Sequence, residues 1–406
     1  SGTLTLNEGG TIVKAQGGGT TADYTSGGNG IHSNSNLTIF SGGKIEQAIG
    51  GTADNGSGGY GIRIIGDLSI SKDSDSEGGT IETAQGGDGK TSGGTGISSS
   101  GTLTLNKDGK IGTAQGGNAT GSYGYCNGGK GIFGKTVNIL AGTIEKAIGG
   151  NSSSDGGGGI GIYSTKELTI KDNATIVTAQ GGNATGYGDG GAGIHSDKTL
   201  TISGATIGKW NDDGTPDATT GALGGTATAG VKGGDGIHSE GALTIKDSGT
   251  ITNAKGGNAN VTGGTGIYSN GTLDIQSSEI GQTTGGNGTD GTGGDGIYSQ
   301  DTLTISKSAT GTAQGSKIGT AQGGDGKTTG GTGIRSKDEL SIEGGTTITN
   351  AKGGTGTDGT GGNGIHGEEV FSISDGTIGT AQGGNGKDGG KGIFGQAVNI
   401  LAGTIK

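Results

Sequence analysis

The 406-residue sequence predicts an all-β protein, a single-stranded parallel β-helix (β-solenoid) of about twelve coils with three short strands per coil. Three observations predict it. The motif Gly-Gly-x-Gly-Ile recurs twelve times, with its Ile at positions 31, 62, 97, 132, 162, 194, 237, 267, 297, 334, 365 and 393. A Leu-Thr-Ile-like triplet ends eight residues after that Ile, or seven in the two "GIFG" copies. A Gly-Thr-Ile-like triplet follows, and a small residue, usually Ala, stands three positions after its Ile. A fixed period of about 20–50 residues marks stacked repeats.

Each element has a physical reason. The pieces alternate apolar and polar residues, which is the period of a strand with one buried face. Their β-branched residues suit strands, and none is long enough for a helix. The units are 28 to 43 residues apart, and the variation is expected in the Gly-rich segment after the third piece. A propeller blade needs four longer strands, so these pieces fit one coil of a solenoid better. One coil carries too few apolar side chains to fold alone; stacking pairs every strand above and below and lines the Ile side chains into columns. Glycine tolerates positive φ, which predicts glycine pairs at the corners of each coil. The commoner right-handed winding is expected. Residues 1–406 read as one continuous solenoid with a long insertion loop at 209–232. Both termini fall inside a coil, so the chain is expected to be part of a longer protein.

Composition narrows the function. The chain has 107 Gly, one Pro, one Trp, no Met and 26% hydrophobic residues. Without the repeat, this composition would place it near the disordered class. A net charge of −11 without a basic stripe argues against nucleic acid and against an anionic membrane surface. No apolar run of about 18 residues is present to span a bilayer as a helix. Cys126 is alone, so no internal disulfide forms.

In a solenoid, equivalent positions become rows. The residue after the first Ile reads His32, Arg63, Ser98, Phe133, Tyr163, His195, His238, Tyr268, Tyr298, Arg335, His366 and Phe394. All four His and both Arg of the chain lie in it. With Ile inward this row points outward, where its rings would stack on sugars, on a neighbouring solenoid or on one another between coils. The central residue of the Leu-Thr-Ile piece forms a second row, from Thr38 and Ser69 to Ser372 and Asn399. It reads as outward β-branched filling, with an ice-binding Thr lattice as the sharper alternative.

Two insertions are acidic. Asp73, Asp75 and Glu77 alternate in "SKDSDSEGG", and Asp212, Asp213 and Asp217 lie in "KWNDDGTPDATTGALGG". Such density would suit Ca²⁺, which takes six to eight oxygens, although neither segment has EF-hand spacing. A solvated acidic loop is the plainer reading, and no cofactor is required. Catalysis finds no support: the His row has no repeated Ser or Asp partner, Cys126 has no base, and no phosphate-loop motif occurs.

The strings "GGDGIHSEGALTI" and "GGDGIYSQDTLTI" resemble a family of secreted bacterial parallel β-helix repeat proteins of the carbohydrate-binding domain-containing type. Similar spacing also occurs in β-solenoid adhesins. The resemblance covers nearly the whole chain as repeats. It implies a parallel β-helix, surface location, bound Ca²⁺ and affinity for acidic plant polysaccharides. Only Asp235 and Asp295 keep the Asp of the family's "GDGI" pattern. The expectation is a non-catalytic, extracellular bacterial protein acting as surface stalk, fibre subunit or adhesin through self-association or neighbouring solenoid chains. The alternative is a glycan-binding module using the His/Tyr/Phe/Arg row, and a polysaccharide lyase is a remote third.

Overall fold

The computed structural model describes residues 3–72, 78–121, 124–308 and 314–406. Every regular element among them is a strand. The chain divides into two compact units, Ser1–Asp197 with Gly225–Gly230, and Lys198–Gly224 with Val231–Lys406. Each is a parallel β-solenoid.

In the first unit the second-strand column runs Leu4, Leu37, Leu68, Leu103, Val137 and Leu168 in register. Leu4–Leu6 pairs with Leu37–Ile39, so a partial turn precedes the twelve Gly-Gly-x-Gly-Ile coils. In the second unit the same column runs Leu200, Leu243, Leu273, Leu303, Leu340, Phe371 and Val398. The Ile and Leu columns are the core: Ile62, Ile97, Ile267, Ile297, Leu273 and Phe371 are all buried.

Three expectations need correction. The third strand is longer than its triplet. It spans six residues in most coils, as in Thr80–Gln85 and Thr250–Lys255, because the buried Ala three positions after Ile continues the same face. The insertion does not lie in the Gly-rich segment. It interrupts a third strand, whose halves Thr206–Ile207 and Gly221–Leu223 both pair with Thr250–Lys255. Gly208 (φ +90°) and Gly221 (φ +105°) make the exit and re-entry, in the left-handed region that favours glycine.

The third correction concerns the repeated glycines. Those of the "QGG" and "GGxG" pairs do not take positive φ. They are required by close approach. A Cβ on Gly59 would lie 2.0 Å from Gly28 O, on Gly94 1.9 Å from Gly59 O, and on Gly294 2.0 Å from Gly264 O. The second glycine of each pair joins a zigzag of hydrogen bonds along the stack. Gly59 N–H donates to Gly51 O, Gly87 to Gly59, Gly94 to Gly87 and Gly117 to Gly94, at 2.8–2.9 Å. The second unit repeats it from Gly257 to Gly390. Backbone groups that would need strand partners are thus satisfied by other glycines.

Two side-chain ladders reinforce the stack. The Asn or Asp after "QGG" accepts the backbone N–H of its equivalent one coil on, as Asn118 Oδ1 does from Asn151 (2.9 Å) and Asn287 Oδ1 from Asp325 (2.9 Å). The Ser after the row residue is buried and donates back one coil: Ser269 Oγ to Gly241 O at 3.0 Å, Ser299 Oγ to Gly271 O at 2.9 Å. A buried hydroxyl without such a partner would cost about 1–3 kcal/mol.

Candidate functional site

The predicted row forms in both units, because each of its residues follows, at the start of a strand, an Ile that is buried in every coil but the last. In the first unit His32 faces Arg63, Arg63 faces Ser98, Ser98 faces Phe133, Phe133 faces Tyr163 and Tyr163 faces His195. In the second unit the order is His238, Tyr268, Tyr298, Arg335, His366, Phe394. The rings touch: Phe133–Tyr163 centroids are 5.6 Å apart, Tyr163–His195 5.3 Å, His238–Tyr268 4.6 Å, Tyr268–Tyr298 5.6 Å and His366–Phe394 4.7 Å. Such pairs contribute about 0.5–1.5 kcal/mol each beyond burial.

The row is less exposed than its outward direction implies. Only His32 is fully exposed; Ser98 is buried and the others are half-buried. The cause is the residue three positions earlier, the variable one in Gly-Gly-x-Gly-Ile. It forms a parallel row against the rings. In the first unit that row carries bulk. Tyr60 lies beside Arg63, whose guanidinium carbon is 5.2 Å from the Tyr60 ring centroid. Lys130 Nζ sits 5.8 Å from the Phe133 centroid and 5.1 Å from that of Tyr163, and burial pushes its pKa down. Tyr163 Oη donates to Asp197 Oδ2 at 2.6 Å; burial first, then this bond, raises the phenol pKa above its usual range.

In the second unit the variable row is Asp235, Thr265, Asp295, Thr332, Asn363 and Lys391, mostly short side chains, and a cleft opens. Its volume is ≈ 560 Å³. One wall is the ring row, Tyr268, Tyr298, Arg335 and His366. The facing wall is a column of threonines, Thr262, Thr292, Thr329 and Thr360, which bridge coil to coil in parallel. The floor is glycine with Thr265, Asp295, Thr332 and Asn363, and Lys232 stands at one end. Lining residues come from five successive coils, so at ~4.8 Å per coil the cleft is about 19 Å long.

The floor is ordered by its own bonds. Asp235, Asp295 and Asn363 each accept, through Oδ1, the backbone N–H of the equivalent residue in the following coil, at 2.6, 2.6 and 2.9 Å. The second oxygens differ. Asp235 Oδ2 meets Lys232 Nζ at 2.9 Å and His238 Nδ1 at 2.6 Å. Burial pushes this carboxyl up, but Lys232 and then His238 outweigh it and hold it below the usual carboxylate range. Asp295 Oδ2 lies 3.6 Å from Arg335 Nη1. There burial outweighs the guanidinium and the carboxyl is raised. Arg335 also donates from Nε to Glu368 Oε1 at 2.9 Å, bonds the same oxygen through Nη2, and lies 4.8 Å from the Tyr298 centroid. Burial, and then Arg335, lower the His366 pKa. Burial raises that of Tyr298.

The threonine wall and the partners Lys232 and Glu368 are absent from the sequence-based candidates. The signal of the threonines is present as a repeated "TGG" at 262–264, 292–294, 329–331 and 360–362. Of the candidate Ca²⁺ ligands, Asp73, Asp75 and Glu77 lie outside the described residues. Asp213 Oδ1 accepts the backbone N–H and hydroxyl of Thr215, and Asp217 Oδ1 those of Thr219. Each thus closes its own turn. Among the described residues, Asp212, Asp213 and Asp217 do not form a set with carboxylate oxygens within 4.8 Å of one another, so they do not fit a Ca²⁺ shell. The same loop lays Trp210 and Pro216 over Gly281, where a Cβ would lie 2.7 and 2.9 Å from their side chains.

No family model matches the chain, and no curated protein matches it. Among solved structures, that of the Streptococcus pneumoniae surface protein and adhesin PfbA aligns over 100% of this chain and 92% of its own, at 10% identity and a TM-score of 0.17. A likeness of that strength carries no argument about function.

Proposed function

We propose that this is a non-catalytic, extracellular β-solenoid of a bacterial surface, with an adhesin-like role, and that its second unit binds an extended glycan. The observation that carries this reading is the cleft between the ring row and the threonine column. Aromatic faces pack on the apolar faces of sugar rings, while hydroxyls and a few fixed polar groups set orientation. A cleft extending across coils suits a chain more than a compact ligand. The non-catalytic reading is supported by the carboxylates. Asp235 is held by Lys232 and His238, while Asp295 and Glu368 both meet Arg335. Hydrolysis of a glycosidic bond needs instead one acid and one base flanking the scissile bond.

The test replaces Tyr268 and Tyr298 by Ala in the full chain and measures retention on a panel of immobilised polysaccharides. The double variant should lose at least tenfold in affinity while keeping its circular dichroism spectrum. Unchanged retention, with the fold intact, refutes the cleft as the site. A purely structural role, with the row serving only to stack coils, is the second reading. It is favoured by the in-register ring contacts of the first unit, where Tyr60 and Lys130 pack against the row.

A further inference from the structure

We infer that the cleft selects an uncharged glycan, a linear neutral polysaccharide, over a polyuronate. This inference rests on the glycan reading above and narrows it to a chemical class.

The inference follows from how the cations of the cleft are held. Two lie along the ring wall, Lys232 and Arg335, and neither is offered to a ligand as a free charge. Lys232 Nζ is 2.9 Å from Asp235 Oδ2, and 5.2 Å from the Tyr268 centroid. Asp235 is buried, so this pair is fixed within the wall. Arg335 is engaged on two sides, by Glu368 through Nε and Nη2 and by Asp295 at 3.6 Å, with its guanidinium carbon 4.8 Å from the Tyr298 ring centroid. Two permanent cations therefore face three carboxylates, Asp235, Asp295 and Glu368. The imidazole of His366 lies between Arg335 and Phe394 in the row. The next cation along the stack, Lys391, sits 3.6 Å from the Phe394 centroid, beyond the lining of the cleft.

A polyuronate would bring one carboxylate per sugar. Over about 19 Å that amounts to roughly four negative charges, if each sugar spans about one coil of ~4.8 Å. Each would meet carboxylates already committed to the two cations of the cleft lining, Lys232 and Arg335, and like charges brought together at an interface are strongly disfavoured. The rest of the lining is neutral and matches a neutral sugar chain. The phenol rings supply apolar faces. The threonine hydroxyls, with Asn363 and Gln300, supply donors and acceptors repeated at the coil spacing.

The test uses the full chain and two probes of equal length, cellohexaose and hexagalacturonate, by isothermal titration calorimetry at low and at high salt. The expected result is that cellohexaose binds with little salt dependence and that hexagalacturonate binds at least tenfold more weakly or not at all. A second variant makes the inference refutable in the other direction. Asp295→Asn with Glu368→Gln keeps acceptors for Thr332 N–H and for the guanidinium but releases the charge of Arg335. Hexagalacturonate affinity should then rise at least tenfold and become salt-sensitive. Tighter binding of hexagalacturonate by the unaltered protein overturns the charge inference and leaves the glycan reading standing. Failure of the folded double variant to gain affinity also overturns it. Absence of binding to every polysaccharide of the panel overturns the glycan reading itself.

Discussion

Gly94→Ala is the sharpest test of the glycine zigzag. The new Cβ would lie 1.9 Å from Gly59 O, 2.7 Å from Gly59 C and 2.9 Å from Gly58 O, all backbone atoms of the preceding coil. Relief to about 3 Å requires the coils to part locally by roughly 1 Å, since no flexible side chain can yield. That displacement acts on the bonds Gly94 makes, its N–H to Gly87 O at 2.9 Å and its carbonyl from Gly117 N–H at 2.8 Å. Each is worth about 0.5–1.5 kcal/mol, and overpacking adds ~1–3 kcal/mol, so the local cost is about 2–6 kcal/mol. Stacked repeats need not unfold as one unit, so the assay is amide hydrogen exchange read by mass spectrometry across residues 86–130 alongside urea denaturation. Gly18→Ala is the control. No atom lies within 4 Å of its Cβ and its φ is ordinary, so it should be neutral or stabilising by ~0.4–1 kcal/mol. Exchange and midpoint unchanged in Gly94→Ala would refute close approach as the reason for these glycines.

Two further predictions rest on other features. Deleting residues 209–220 joins Gly208 to Gly221 and places Ala222 three residues after Ile207, the spacing of the uninterrupted third strands. The shortened protein should keep its circular dichroism spectrum and thermal midpoint; aggregation or loss of the spectrum would show that the loop supports the unit. The buried carboxyls should respond to pH with opposite signs. Asp235 is held below its unfolded pKa, so it stabilises the fold above the usual carboxylate range and loses that contribution as acid protonates it. Asp295 is raised, so ionising it costs stability as pH rises through its folded value. Asp235→Asn should therefore weaken the protein more than Asp295→Asn at neutral pH, and the gap should narrow in acid. Equal urea midpoints at neutral pH would contradict the assignment of Lys232 and His238 as its partners.

The columns are legible in the sequence because burial imposes a strict period. Ile62, Ile97 and Ile132 can be aligned by eye, and the structure pairs them in register. The row beside them follows automatically, since side chains alternate along a strand. The cleft does not follow. It depends on the bulk of the residue two positions before each Ile, and Lys130 and Thr332 occupy equivalent places with opposite consequences for open space. The role of the glycines is equally hidden. Positive φ and close approach both select glycine, and only the position of neighbouring carbonyls separates them. The insertion is misplaced by sequence because its flanking halves, "TIGK" and "GAL", each resemble part of a strand and neither resembles a whole one.

In each unit the zigzag bonds between paired glycines run in one direction. Gly51 donates to Gly28, Gly59 to Gly51, Gly87 to Gly59, and so on; the donor is always the later residue in the chain. A coil being added therefore finds one acceptor for this zigzag in the coil before it, as Gly87 does in Gly59, supplies the other itself, as Gly87 does for Gly94, and leaves one fresh acceptor for its successor. The seam is therefore polar: every coil presents a donor toward the N-terminal side and an acceptor toward the C-terminal side, so the two faces of a coil are not interchangeable along it.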